Sequence, residues 1–245
     1  MAFTVVVPAM NLLGQAGLDL PRTRRYADRA GRSSVDYFLL NGSTTQGRET
    51  SIELRCAVIE TWAGIVGAGR IIACCWSPAD VEAAVRQQVI PMVVMDGLRD
   101  EDQALTFLQS LPAGATIYSH PELFSGVTFT AGLARAAREA GCLPDGGKLA
   151  KIKPSEIATI HESAAGFRLW DGSSRRIEQS LQAGADGVVA TPLTAVIAGP
   201  DDFRSETTAE LQAAVDPVQA ALDSLPDRAS RRLYLHEQVE VQIDA

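Results

Sequence analysis

Apolar runs rich in β-branched residues alternate with segments of helical periodicity through roughly the first 200 residues, and about eight such units fit this length. Strands that alternate with helices predict parallel βαβ units, and eight units predict a (β/α)8 TIM barrel. We therefore predict an α/β protein with a barrel core at 1–200. Residues 201–245 would add the last barrel helix and a short C-terminal helical extension within one domain. An open doubly wound sheet is the alternative.

The predicted strands are short apolar runs that end at turn residues or polar loops. They lie at 3–7, 35–40, 69–75, 90–95, 115–118, 148–153, 167–170 and 187–190. No G-x-G-x-x-G follows a strand and no Walker-type loop is present, so no sequence motif supports nucleotide binding.

Local signals mark where several helices begin and end. Ser77 followed by Pro78 is typical of an N-cap with proline at the first helical position. Glycines follow the helical periodicity at Gly31, Gly141 and Gly184 and predict helix ends there. The predicted helices are 20–30, 50–63, one beginning at 78, 100–111, 130–140, 154–163, 173–183 and 205–225, followed by a charged segment from 227.

Composition is that of an ordinary soluble globular protein, with 46% hydrophobic and 21% charged residues. The net charge of −8, with no basic run longer than a pair of arginines, argues against a nucleic-acid partner. No apolar stretch is long enough to span a bilayer and no cationic leader begins the chain, so we expect no membrane partner and a cytoplasmic location. The four cysteines and three histidines show no metal-binding spacing, and we expect neither a metal nor another cofactor.

The segment 148–155, Lys-Leu-Ala-Lys-Ile-Lys-Pro-Ser, alternates lysine with apolar residues as a strand does and ends where a helix can begin. On a strand, Lys151 and Lys153 would share one face. Two lysines facing a barrel interior would indicate a reactive amine or a bound anion, because a neighbouring cation lowers the pKa of a lysine and the free amine can form an imine. An edge strand with solvated lysines is the alternative.

In a barrel, the reaction takes place at the carboxyl ends of the strands. The polar loop 42–47 follows the second predicted strand, Tyr118 ends the fifth and Lys153 ends the sixth. Tyr118 could also be an ordinary core residue, and the Ser43 to Thr45 segment could simply cap the following helix.

This series of motifs resembles the dihydrodipicolinate synthase and N-acetylneuraminate lyase superfamily. The family's Gly-Thr-Thr-Gly-Glu loop is similar to 42–46, its Tyr-Asn-x-Pro motif to 118–121, and its Gly-x-Lys-x-Ser/Ala strand to 151–155. Residues 170–189, with Gly-Ala-Asp-Gly-Val, resemble the family's seventh and eighth strands. The resemblance covers roughly 3–198.

The resemblance implies a class I aldolase or lyase that acts on pyruvate or another 2-oxo acid. Lys153 would form the Schiff base and Tyr118 would move protons. Ser43 and Thr44, with Thr45 beside them, would bind the substrate carboxylate, and Lys151 would either lower the pKa of Lys153 or bind an acidic substrate group. A homo-oligomer is possible, although the C-terminal region is shorter than is usual in the family.

Several positions depart from the family pattern. Thr45 and Gln46 replace the loop's glycine and glutamate, and Leu123 or Phe124 lies where a dihydrodipicolinate synthase carries an arginine. A barrel that has lost the reaction and acts as a small-molecule-binding or regulatory protein is therefore an alternative. A dehydratase or decarboxylase that shares the imine is a further alternative.

Overall fold

Eight parallel strands close into a barrel in the computed structural model, which describes residues 3–14 and 17–245. Each strand pairs with its neighbours in sequence, and β8 pairs with β1 to close the barrel. The strands are β1 Thr4–Pro8, β2 Tyr37–Leu40, β3 Ile71–Cys75, β4 Ile90–Val94, β5 Thr116–Ser119, β6 Gly146–Leu149, β7 Arg168–Asp171 and β8 Gly187–Val189. The predicted (β/α)8 TIM barrel is confirmed.

Helices follow the strands and surround the barrel. They are α1 Leu20–Gly31, α2 Ile52–Val66, α3 Pro78–Arg86, α4 Glu101–Gln109, α5 Ala131–Glu139, α6 Pro154–Ser163, α7 Ile177–Gln182, α8 Leu193–Val196, α9 Thr208–Asp223 and α10 Arg228–Asp244. Leu13–Gly14 and Gly17–Leu18 form a small antiparallel hairpin after β1. Among the described residues, no helix combines the length and the apolar character needed to cross a membrane.

The start of α3 matches the sequence signals. The Ser77 hydroxyl accepts a hydrogen bond from the Asp80 backbone N–H, and Pro78 occupies the first helical position. The start of α7 differs from the prediction, because the helix begins at Ile177 rather than 173. The Ser173 N–H donates to Asp171 Oδ1 at 2.9 Å. Residues 171–173 therefore form a short turn, and the helix begins after it.

The side chains of the strands alternate between two apolar layers. The barrel interior is filled by residues such as Val6, Ile72 and Met92, with Tyr118 and Trp170 among them. The opposite face of each strand packs against the helices in two larger clusters. The polar groups at the carboxyl ends of the strands therefore rest on a packed interior.

The sixth strand lies earlier in the chain than predicted. It covers Gly146–Leu149, so Lys151 and Lys153 lie beyond its end. The two glycines are required by close packing, because a Cβ on Gly146 would lie 2.5 Å from the Arg168 carbonyl oxygen and one on Gly147 would lie 2.6 Å from the Ile117 side chain. The Gly-Gly pair thus begins a tightly packed strand rather than completing the preceding turn.

Candidate active site

A cavity of about 340 Å³ opens at the carboxyl end of the barrel. It is lined by residues of the strands, of the loops after β2, β5, β6, β7 and β8, and of the helices α9 and α10. The cavity lies where barrel enzymes carry out their reactions, and its volume is within the range of roughly 300–1,000 Å³ that small-molecule sites occupy.

Lys148 and Tyr118 form the centre of the cavity. They are direct partners in the register between β5 and β6, so both side chains enter the barrel from adjacent strands. Tyr118 is 2% exposed and Lys148 is 6% exposed. The Lys148 Nζ lies 4.4 Å from the centroid of the Tyr118 ring, which is the geometry of a cation–π contact.

The position of Lys148 on β6 follows from the alternation of the strand. Leu149 packs into the layer between barrel and helices, so Lys148 beside it faces the interior. Lys148 is also paired with Trp170 on β7, whose buried ring belongs to the interior cluster. Within the described part of the chain, no carboxylate oxygen lies within 4.0 Å of the Lys148 amine, so the group is buried without a counterion.

The loop after β2 brings Ser43 and Thr44 to the cavity. The Ser43 hydroxyl lies 3.3 Å from the Tyr118 hydroxyl, and the side chains of both Ser43 and Thr44 line the space next to Lys148. Thr45 is positioned differently, because its hydroxyl donates to the Gly42 carbonyl at 3.1 Å and the residue is buried behind the loop. Two of the three predicted carboxylate ligands therefore reach the cavity, and Thr45 supports the loop from behind.

A buried ion pair holds this loop in place. Arg55 on α2 contacts Asp80 on α3 at 2.6 Å and donates to the carbonyl oxygens of Gly47 and Thr50. Gly47 packs directly against the loop backbone, since a Cβ there would lie 1.7 Å from the Asn41 carbonyl oxygen. The position of Ser43 and Thr44 thus depends on two helices outside the barrel.

Lys151 and Lys153 do not enter the barrel together, contrary to the prediction. Lys151 has a left-handed backbone with φ of 59°, and its exposed side chain forms an ion pair of 3.4 Å with Glu122, another residue that lines the cavity. Lys153 is exposed at the N-cap of α6, where its backbone N–H donates to the Glu156 carboxylate. The prediction failed because the strand ends at Leu149, so the period-2 alternation does not extend to these two lysines.

His120 lies beside the pair of Lys148 and Tyr118. Its Nδ1 accepts a hydrogen bond from the Glu122 backbone N–H at 3.1 Å, so the neutral ring carries its proton on Nε2. Burial is the largest cause that lowers its pKa, and the positive charges of Arg228 and Lys148 lower it further, to about 4. At neutral pH the imidazole is uncharged and Nε2 is a hydrogen-bond donor.

Sequence reasoning missed Lys148 as the buried amine, although a signal was present. Residues 146–150 read Gly-Gly-Lys-Leu-Ala and fit the Gly-x-Lys-x-Ser/Ala pattern without departure. It also missed the arginines of α10, which reach the cavity from a distant part of the sequence. Across the described residues, no group of three His, Cys, Asp or Glu side chains is placed to hold a metal ion.

No protein-family model matches the chain, and no curated protein is significantly similar to it in sequence. Solved structures do match. The 2-keto-3-deoxygluconate aldolase of Picrophilus torridus aligns with a TM-score of 0.76 and 15% identity over 98% of this chain and 94% of that chain.

Two further structures come from the dihydrodipicolinate synthase group. A protein of that family from Coccidioides immitis aligns with a TM-score of 0.74 and 18% identity over 98% of this chain and 87% of its own. The 4-hydroxy-tetrahydrodipicolinate synthase of Methylacidiphilum fumariolicum aligns with a TM-score of 0.71 and 15% identity over 98% and 78%. The chain therefore has the (β/α)8 fold of the dihydrodipicolinate synthase and 2-keto-3-deoxygluconate aldolase structures, as its motifs predict.

Proposed function

We propose that the protein is a lyase or aldolase of the dihydrodipicolinate synthase superfamily that forms a Schiff base between Lys148 and a 2-oxo acid. The observation that carries the proposal is the buried Lys148 amine, placed 4.4 Å from the Tyr118 ring centroid at the carboxyl end of the barrel. In this proposal Lys148 takes the role that the sequence motifs assigned to Lys153.

The proposed reaction begins when the unprotonated Lys148 amine attacks the 2-oxo carbon. The carbinolamine that results loses water and becomes a protonated imine at C2. The C4 hydroxyl of the substrate then loses its proton, the C3–C4 bond breaks to release an aldehyde, and its electron pair forms an enamine between C2 and C3. Protonation of the enamine at C3 regenerates the imine, and its hydrolysis returns the lysine and releases the shortened 2-oxo acid. In the synthetic direction the same steps run in reverse.

Tyr118 is the proposed proton carrier for these steps. Its ring packs against the lysine amine and its hydroxyl lies 3.3 Å from Ser43 Oγ, which connects it to the polar loop. A phenol in this position can move a proton between the carbinolamine and the reacting hydroxyl of the substrate.

Ser43 and Thr44 are the proposed ligands of the carboxylate next to the 2-oxo carbon. Both residues line the cavity together with Lys148, on a loop that the ion pair of Arg55 and Asp80 fixes. A carboxylate held there would orient the carbonyl carbon toward the amine, which is the positioning that imine formation requires.

Reductive trapping tests the proposal. The protein is incubated with pyruvate and borohydride, and the added mass is mapped by peptide mass spectrometry. We expect the adduct on Lys148, its loss in Lys148→Ala, and unchanged labelling in the matched controls Lys151→Ala and Lys153→Ala. An adduct on Lys153 alone would contradict the assignment to Lys148.

Absence of any adduct with pyruvate and with larger 2-oxo acids would reject the imine mechanism and favour a binding or regulatory barrel. If the adduct forms, product analysis distinguishes C–C cleavage from a dehydration or decarboxylation through the same imine.

A further inference from the structure

Positive side chains dominate the cavity although the chain as a whole is acidic. Six cationic side chains line it, and Glu122 is the one carboxylate among its described lining residues. Glu122 is already paired with Lys151. The remaining cations are Lys148, Arg175, Arg228, Arg231 and Arg232.

Three of these cations come from the first turns of α10. Arg228, Arg231 and Arg232 are spaced three and four residues apart, so they share the helix face that also carries Leu235. Leu235 is buried in the core and also lines the cavity, which directs this face toward the mouth of the barrel.

These three arginines form no close ion pair in the described part of the chain, although the charge of Arg231 lowers the pKa of Asp223 and Asp227 and its guanidinium donates to the Leu225 carbonyl. Within residues 3–14 and 17–245, no carboxylate lies within 4.0 Å of the guanidinium groups of Arg228, Arg231 or Arg232. The Nε atom of Arg231 is buried without an acceptor in the same part of the chain. Arg175, in contrast, is paired with Asp223.

A cluster of positive charges that outnumbers the carboxylates around an open cavity is unfavourable until an anion enters it. Mutual repulsion and partial desolvation both raise the free energy of the empty cluster, and a bound anion relieves both. Guanidinium groups also match the planar oxygen pairs of carboxylate and phosphate. The same positive charges act on His120, because the charges of Arg228 and Lys148 both lower its pKa.

We propose that Arg228, Arg231 and Arg232 form an anion subsite and that the substrate is a 2-oxo acid with a second anionic group, a carboxylate or a phosphate, distant from its carbonyl. The identity of the substrate rests on the proposed function. The cavity exceeds what the six heavy atoms of pyruvate need, since pockets of roughly 300 Å³ and above hold larger ligands.

The test compares probes that differ only in the presence of a distal anionic group. For carboxylate, the pair is 2-oxoglutarate and 2-oxopentanoate. For phosphate, it is 2-keto-3-deoxygluconate and its 6-phosphate. The readout is the probe concentration that gives half-maximal borohydride trapping on Lys148. We expect the charged member of one pair to trap at about ten to a hundred times lower concentration, as charge-assisted hydrogen bonds provide.

The double variant Arg228→Gln/Arg232→Gln should abolish this preference, so that charged and uncharged probes reach half-maximal trapping at similar concentrations. Arg24→Gln, on the exposed side of α1, is the control for the charge change. Thermal unfolding establishes that each variant is folded. Equal trapping of charged and uncharged probes, or a preference that survives in the double variant, would overturn the proposal while the imine mechanism stands.

Calorimetric titration with inorganic phosphate tests the subsite independently of the imine. Binding by the parent protein that is lost in the double variant would support the subsite even if no probe is trapped, in which case only the imine mechanism fails. No binding of phosphate together with no preference among the probes would reject the subsite.

Discussion

The buried imidazole of His120 makes the stability of the protein depend on pH. Its pKa in the folded state is about 4, against an ordinary value near 6.5. Between these values the unfolded chain binds a proton that the folded protein does not, so the free energy of unfolding falls as the pH drops from about 6.5 to 4. We expect His120→Asn to reduce this fall.

Urea unfolding at pH 7 and at pH 5 measures the effect. For each protein, the free energy of unfolding at pH 5 is subtracted from that at pH 7. The two proteins are compared by this difference, because other groups also titrate in this range. An asparagine oxygen can still accept the Glu122 N–H, and His161→Asn at an exposed position controls for the substitution itself. An equal loss of stability in the parent and in His120→Asn would contradict this origin.

Single residues also show where the sequence was and was not sufficient to predict the site. Tyr118, Ser43 and Thr44 were placed at the cavity because strand ends and loops in a barrel can be inferred from alternation. The amine was placed five positions too late, because β6 ends at Leu149 and the chain turns through the left-handed Lys151 beyond it. The hydrophobic pattern of the sequence does not indicate that a lysine adopts a left-handed backbone conformation.

Among the structural elements, the loop after β2 is held by one buried ion pair. Arg55 and Asp80 are both almost fully buried, and Asp80 also accepts hydrogen bonds from the Trp76 N–H and the Ser77 hydroxyl. Asp80→Ala would leave the Arg55 charge buried without its partner. We expect a loss of about 3–5 kcal/mol in the free energy of unfolding.

Asp80→Ala should also reduce the amount of pyruvate that borohydride traps on Lys148, because Ser43 and Thr44 would lose their fixed position. The matched control is Asp28→Ala, which removes a carboxylate from an exposed pair with Arg32 and should cost about 0–1 kcal/mol. Chemical denaturation gives both free energies. Similar losses in the two variants would show that the buried pair does not stabilise the loop.

Helices and strands were predicted well where their signals are local. The Ser77 cap and Pro78 are such signals, and both positions match. The start of β6 was missed because its reason is not local, since Gly146 and Gly147 are needed by the neighbouring strands β7 and β5 rather than by a turn.

For the molecule as a whole, α10 attaches the C-terminal segment to the barrel. Leu235, Val239 and Ile243 are buried in the main core, and Arg22 on α1 forms ion pairs with Glu240 and Asp244. Val239→Ala should therefore cost about 1–3 kcal/mol through lost burial and the remaining cavity.

The same substitution at Val241, which is 62% exposed on the same helix, is the control and should have little effect on stability. Thermal or urea unfolding compares the two variants. If they lose equal stability, the inner face of α10 does not contribute to the core as its burial indicates.

At this scale the net charge of −8 does not predict the positive charge of the cavity. The cationic residues come from β6, from the loop after β7 and from α10, which are up to about 80 positions apart in the chain. Their proximity results from closure of the barrel, and a sequence without its tertiary contacts contains no sign of it.

The location of the arginines on the last helix has a consequence for how selectivity could be changed. Under the two proposals, the bond-making groups lie on the strands, and the groups that select the substrate lie in the first turns of the terminal helix, where they face the mouth of the barrel. Evolution or engineering could then change the substrate specificity by substituting Arg228 and Arg232, without disturbing the reaction centre. The apolar face of the same helix would have to be retained, because it is part of the core.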